Sequence, residues 1–192
     1  MTEKAMALGQ KRLYIVISQS GTLPSKMLRA VTGAKYNHVS ISLADDLGTM
    51  YSFGRRRTYN PFWGGFVMES PHAGTFKRFP DTKIILMSVP ITEEQGMRLK
   101  ARLEKMYEHR LDYHYNYLGL FLAGIHIYKK FKRHYYCSEF VREMLVEFKI
   151  DGAKDLPRII HPMEFEEMAS ATEIYRGLLR DFGTSSPAAT VK

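Results

Sequence analysis

The first clear pattern in the chain is the run Arg12 to Ser18, RLYIVIS, rich in β-branched and aromatic residues, which predicts a strand. Asn37 to Leu43 alternates: Val39, Ile41 and Leu43 fall on one face, and His38, Ser40 and Ser42 on the other. Asp45-Asp46-Leu47-Gly48 predicts a hairpin turn, with Thr49 to Phe53 as the returning strand. Gly64 to Glu69 and Lys83 to Val89 predict two further strands. Between the first two strands, Thr22-Leu23-Pro24 has the form of a helix start, and Gly33 closes a short helix over Ser25 to Val31. Helical periodicity dominates the second half. Thr92 with Gln95 three residues on has the form of a capping box, and Leu99, Leu103 and Met106 then mark a buried face. From about Ser138 to Lys149, Val141, Leu145 and Phe148 share one side, with Glu139, Arg142, Glu143 and Glu147 largely on the other. His161-Pro162 opens a last helix with Phe165 and Met168 inward. Strands first and long helices later predict an α+β fold, with helices packed on an antiparallel sheet.

The 192 residues fit one domain, and no internal repeat or low-complexity linker divides them. The expected domain is 11–182, between mobile tails at 1–10 and 183–192. With 45% hydrophobic and 25% charged residues, wholesale disorder is excluded. No run approaches the ~18 apolar residues of a membrane span, and the most apolar stretch, Tyr117 to Tyr128, contains His126. The first ten residues lack the apolar core of a secretory signal, so a cytoplasmic setting is expected. Twenty-eight Lys and Arg against 20 Asp and Glu give a net charge of +8. These cations are scattered rather than arrayed, and no nucleic-acid motif accompanies them, so a nucleic-acid partner is not expected. Tyr107 to Tyr136 is different: Tyr113, Tyr115, Tyr117, Phe121, Tyr128 and Phe131 interleave there with basic residues. That segment fits ordinary packing of a long crossover, one wall of a cleft, or a patch that meets a membrane surface.

Candidate chemistry centres on the single cysteine. One thiol forms no internal disulfide and no cysteine-caged zinc site. Cys137 precedes or opens the helix that follows Tyr136, where the positive end of the helix dipole favours thiolate. Its spacing to Phe140, Val141, Met144 and Leu145 also puts it on the buried stripe, so packing alone accounts for it equally well. A cysteine nucleophile needs a base, and of seven histidines His38 stands out, on the polar face of a strand beside small Ser40 and Ser42. His109 and His114 are five apart, off the spacing of one helix face, and no HExxH, GxxxxGK[ST], GxGxxG or GxSxG occurs. Neither a metal nor an organic cofactor is expected.

The local motifs resemble a known family. Tyr36-Asn37-His38-Val39-Ser40-Ile41 is similar to the histidine strand of NlpC-type cysteine peptidases, and Tyr136-Cys137-Ser138-Glu139-Phe140-Val141 to their cysteine helix. The histidine comes first here, as in the circularly permuted papain-like branch of the YiiX/YebB type, which includes relatives of lecithin:retinol acyltransferase. His161-Pro162-Met163-Glu164-Phe165 is similar to the segment that follows the cysteine helix in bacterial permuted members, so the resemblance spans Leu13 to Met168. It implies a permuted papain-like core in which the cysteine helix packs on an antiparallel sheet carrying the histidine. It implies thiolate attack on an amide, ester or thioester carbonyl, with Cys137 as nucleophile and His38 as general base. The substrate would be a peptide, a peptidoglycan fragment or a lipid, and the acceptor water or an amine. The family's third, orienting group falls at Ser52, and Glu69 or a backbone carbonyl are the alternatives. A non-catalytic binding domain that keeps the fold is the reading of a different class.

Overall fold

In the computed structural model, residues 11–19, 35–57 and 60–183 are described, the side chains of 60–62 excepted. The helix expected over 25–31, most of both tails and Tyr59 lie outside them. The elements are β1 (Arg12–Gln19), β2 (His38–Ser42), β3 (Met50–Arg57), β4 (Asn60–Glu69), α1 (Gly74–Arg78), β5 (Lys83–Pro90), α2 (Glu93–Glu108), β6 (His114–Tyr115), α3 (Tyr117–Gly124), β7 (His134–Tyr135), α4 (Cys137–Glu147) and β8 (Thr172–Leu178). The fold is α+β.

The eight strands form one sheet in the order β7-β6-β4-β3-β2-β1-β5-β8. The sheet is mixed, not wholly antiparallel as the sequence predicts, because β6 and β7 run parallel. Chain leaving β6 passes through α3 before returning at β7, and such a crossover delivers a strand in the same direction. β1 lies inside the sheet between β2 and β5, pairing Ile15 with Ile41 of β2 and with Met87 of β5.

Both faces of these central strands are covered, which explains their nearly continuous apolar sequences. Leu13, Ile15 and Ile17 of β1, with Ile85 and Met87 of β5, pack into the larger core beneath α2 and α4. Val16, Ile84 and Leu86 face the other way, into a smaller core with Leu47, Met50 and Phe76. Phe53 anchors the larger core, its ring centroid 5.6 Å from Phe66, 5.1 Å from Tyr135 and 5.2 Å from Phe140.

α2 is capped as the sequence indicates. Thr92 and Gln95 form the reciprocal capping box of α2. The Gln95 amide also donates to the carbonyls of Phe148 and Lys149, at 3.1 and 3.0 Å, so one side chain serves the start of α2 and the end of α4. α4 stops at Glu147 because Lys149 takes a left-handed φ of 53° and Ile150 N–H closes back onto the Leu145 carbonyl. The last predicted helix is instead a 3₁₀ segment, Pro162–Glu167, too short to propagate as α, yet Phe165 and Met168 are buried as expected. β8, which pairs with β5, was not predicted, because its TEIYRGL sequence is largely exposed at the sheet edge and lacks apolar alternation.

Truncating Phe53 to Ala should lower unfolding free energy by about 3–5 kcal/mol. A urea midpoint shift at unchanged slope measures it; a loss under 1 kcal/mol would show that the aromatic cluster re-collapses around the gap.

Candidate active site

Cys137 is the first residue of α4, and His38 the first residue of β2. Each therefore sits at an end of its element, where a side chain can reach past the sheet margin. Cys137 is 5% exposed, while the His38 and Glu69 side chains are 16% and 15% exposed. The backbone of α4 is tied down around the thiol. Ser138 Oγ donates to the Ile160 carbonyl at 2.5 Å, and the buried Glu139 carboxylate accepts from Tyr136 N–H at 3.4 Å.

His38 Nε2 lies 3.0 Å from Glu69 Oε2 and 3.2 Å from Oε1. Ser40 Oγ donates to Glu69 Oε2 at 2.6 Å, fixing the carboxylate from the same strand that carries the histidine. With Nε2 engaged by Glu69, Cys137 is the further group that acts on the imidazole, and it favours the protonated ring. Tyr115 of β6 is electrostatically coupled to the same thiol. β6 comes close enough for this because residue 64 of β4 is glycine: a Cβ there would lie 2.7 Å from the Tyr115 Cβ.

The charges follow from these contacts. Burial opposes protonation of His38, but the Glu69 carboxylate, which accepts from the ring, and the neighbouring Cys137 outweigh it and raise its pKa to about 10. Burial pushes Glu69 upward, and the His38 charge, the bonds from His38 and Ser40, and the Arg55 guanidinium together bring it below the ordinary carboxylate value. Tyr115 is held well above the usual phenol value by burial and by negative charge at Cys137. The trio therefore rests as an imidazolium between a carboxylate and a sulfur.

Of the residues singled out from sequence, Cys137 and His38 come together. Ser52 does not join them. Its hydroxyl donates to the Val39 carbonyl at 2.6 Å and is spent cross-linking β3 to β2. The group on the imidazole is Glu69, one of the two alternatives to Ser52. Met50 of β3 pairs with Glu69 of β4, so a long carboxylate two strands away from β2 reaches where the short Ser52 hydroxyl does not. Tyr115, legible only as part of an aromatic segment, proves to be coupled to the thiol. Glu69 also borders a groove of about 440 Å³ whose wall includes Arg55, Arg57, Trp63 and Tyr107. Among the described residues, no group of three or more His, Cys, Asp or Glu side chains is arranged to hold a metal ion.

No protein-family model, curated protein or solved structure matches this chain.

Stability should carry the signature of this pair. A histidine raised from 6.5 to about 10 contributes fully below pH 6.5, and the contribution is lost as pH rises through 10. The lowered Glu69 contributes above its ordinary value of 4.5 and loses that contribution as pH falls through its folded pKa. The difference in thermal midpoint between wild type and His38→Ala should therefore shrink steadily from pH 6.5 to 10; a constant difference would contradict the coupling. Ser52→Ala should cost about 1 kcal/mol through the lost bond to Val39 and leave Cys137 alkylation unchanged, as read by urea unfolding and iodoacetamide labelling.

Proposed function

We propose that the protein is a cysteine hydrolase of amidase or peptidase type, with Cys137 as nucleophile, His38 as acid and base, and Glu69 as the group that orients and charges the imidazole. What carries the reading is the His38 imidazole held on the buried Glu69 carboxylate, with Cys137 at the start of α4 as the next group acting on the same ring. We take the fold to be the permuted papain-like one, since the histidine strand precedes the cysteine helix and that helix packs on the sheet carrying the histidine. A cytoplasmic setting, which keeps a lone thiol reduced, belongs to the same proposal.

The chemistry then runs in two steps. The Cys137 thiolate attacks the carbonyl carbon of an amide or ester, and the oxyanion forms against the Cys137 backbone N–H at the positive end of α4. His38 gives its proton to the departing amine or alcohol, leaving a thioester on Cys137 and a neutral imidazole. Water enters, loses its proton to His38 and attacks the thioester. The acid departs and the thiolate–imidazolium pair is restored. An amine in place of water would give acyl transfer instead. The exposed apolar helix α3, beside the site, favours lipid as the alternative substrate class for the same nucleophile.

Iodoacetamide should label Cys137 faster than free glutathione at mildly acidic pH, where an ordinary thiol is protonated. His38→Ala should slow labelling and reduce turnover of a peptide or ester substrate by about 10²–10⁴-fold. Equal labelling rates in the two proteins would overturn the ion-pair assignment and leave the non-catalytic reading.

A further inference from the structure

α3 is inside out. Its sequence, YLGLFLAG, carries no charged side chain, and its small residues Gly119 and Ala123 face inward. Leu118, Phe121 and Ile125 fall on one outward stripe and are 57%, 69% and 54% exposed, and Ile127 in the turn beyond is 49% exposed. A surface helix ordinarily turns its apolar stripe to the core and polar residues to water. An outward apolar patch of this kind signals a surface that something covers.

The arrangement is built rather than frayed. Asn116 caps α3 by accepting from Gly119 N–H at 2.8 Å, and a Cβ at residue 119 would collide with the Asn116 amide, so glycine lets the cap close. The Asn116 amide also donates to Glu139 in the first turn of α4 at 3.4 Å. At the other end, His126 takes a left-handed φ of 60°, and Ile127 N–H returns to the Leu122 carbonyl, which turns Ile127 out beside the stripe.

Cations follow immediately: Lys129, Lys130, Lys132 and Arg133 lie within five residues of the chain. Lys130 pairs with Glu143 and Arg133 with Asp112, at 2.5 and 2.9 Å. Among the described residues no carboxylate lies within ion-pair distance of Lys129 or Lys132. Tyr128 falls between the stripe and the charges along the chain, and Phe131 among the charges, with the Lys129 ammonium 5.3 Å from its ring centroid. Apolar residues to enter the acyl boundary, aromatic rings at its margin and lysines beyond are the chemistry of an interfacial helix on an anionic bilayer. No helix among the described residues is long and apolar enough to cross a membrane, so this contact is with the surface.

We infer that α3 and the lysine run after it dock the protein on an anionic phospholipid surface, holding the start of α4 toward the lipid. The Asn116–Glu139 bond joins the start of α3 to the first turn of α4, which carries Cys137, so a docked α3 brings that turn toward the headgroups. The docking does not depend on catalysis.

The test is flotation of the full-length chain with vesicles of phosphatidylcholine alone or mixed with phosphatidylglycerol. Wild type and Cys137→Ala should both float with the anionic vesicles and stay behind with the neutral ones. Phe121→Asp should reduce binding at least about tenfold, and Lys129→Gln with Lys132→Gln about 30-fold, from two charges near the surface. Phe121, Lys129 and Lys132 are exposed, so their variants should keep the wild-type thermal midpoint and Cys137 labelling rate, which separates lost docking from lost fold or lost chemistry. Equal flotation with neutral and anionic vesicles, unimpaired binding of Phe121→Asp, or absence of binding overturns the inference. A wild-type dimer that Phe121→Asp dissociates, without flotation, overturns it in favour of a second copy as the occupant.

Discussion

A buried carboxylate is costly unless its charge is matched, and Glu69 is matched by one imidazole. That constraint organises the site. The carboxylate lies on β4, the imidazole on β2, and β3 between them contributes Gly54, where a Cβ would stand 3.6 Å from both the Glu69 oxygen and the His38 ring. Ser40 adds the hydrogen bond that holds the carboxylate to its rotamer, and Arg55 adds a distant positive charge. Protonating His38 satisfies Glu69, and a charged imidazole in turn offers a proton toward sulfur. The His38–Glu69 pair thus follows from the strand pairing, before any substrate is considered.

The architecture keeps that trio in register from two directions. The sheet fixes His38 and Glu69 through paired strands buried on both faces, where a slip of one residue would exchange the two cores. α4 is fixed at both ends, by Ser138 and Glu139 at its start and by Gln95 of α2 at its finish. The aromatic cluster around Phe53 lies between them, joining β3 and β4 to α4 through Phe66 and Phe140. Rigid elements therefore position the groups, and precision of that kind is what nucleophile–base contact requires.

Much of this was legible in the sequence because local pattern and tertiary role agree. Alternation over Val39, Ile41 and Leu43 marks β2 and sends His38 to its polar face. The stripe from Phe140 to Leu145 marks α4 and puts Cys137 at its start. What escaped the sequence depends on pairing across strands. Nothing local to Ser52 reveals that its hydroxyl is consumed by the Val39 carbonyl, and nothing local to Glu69 reveals an imidazole 31 residues earlier in the chain. β6, β7 and β8 were missed because two-residue strands and an exposed edge carry no periodic signal. α3 is a different case. Its apolar run was visible, but only burial shows that the large residues point outward and the small ones inward.

The central claim is the charge state of one ring. Nitrogen-15 NMR of His38 in the full-length protein tests it most directly. The account predicts that both ring nitrogens stay protonated through neutral pH and that the ring titrates near 10. Titration near the ordinary value of 6.5, with a neutral imidazole above it, would contradict the account.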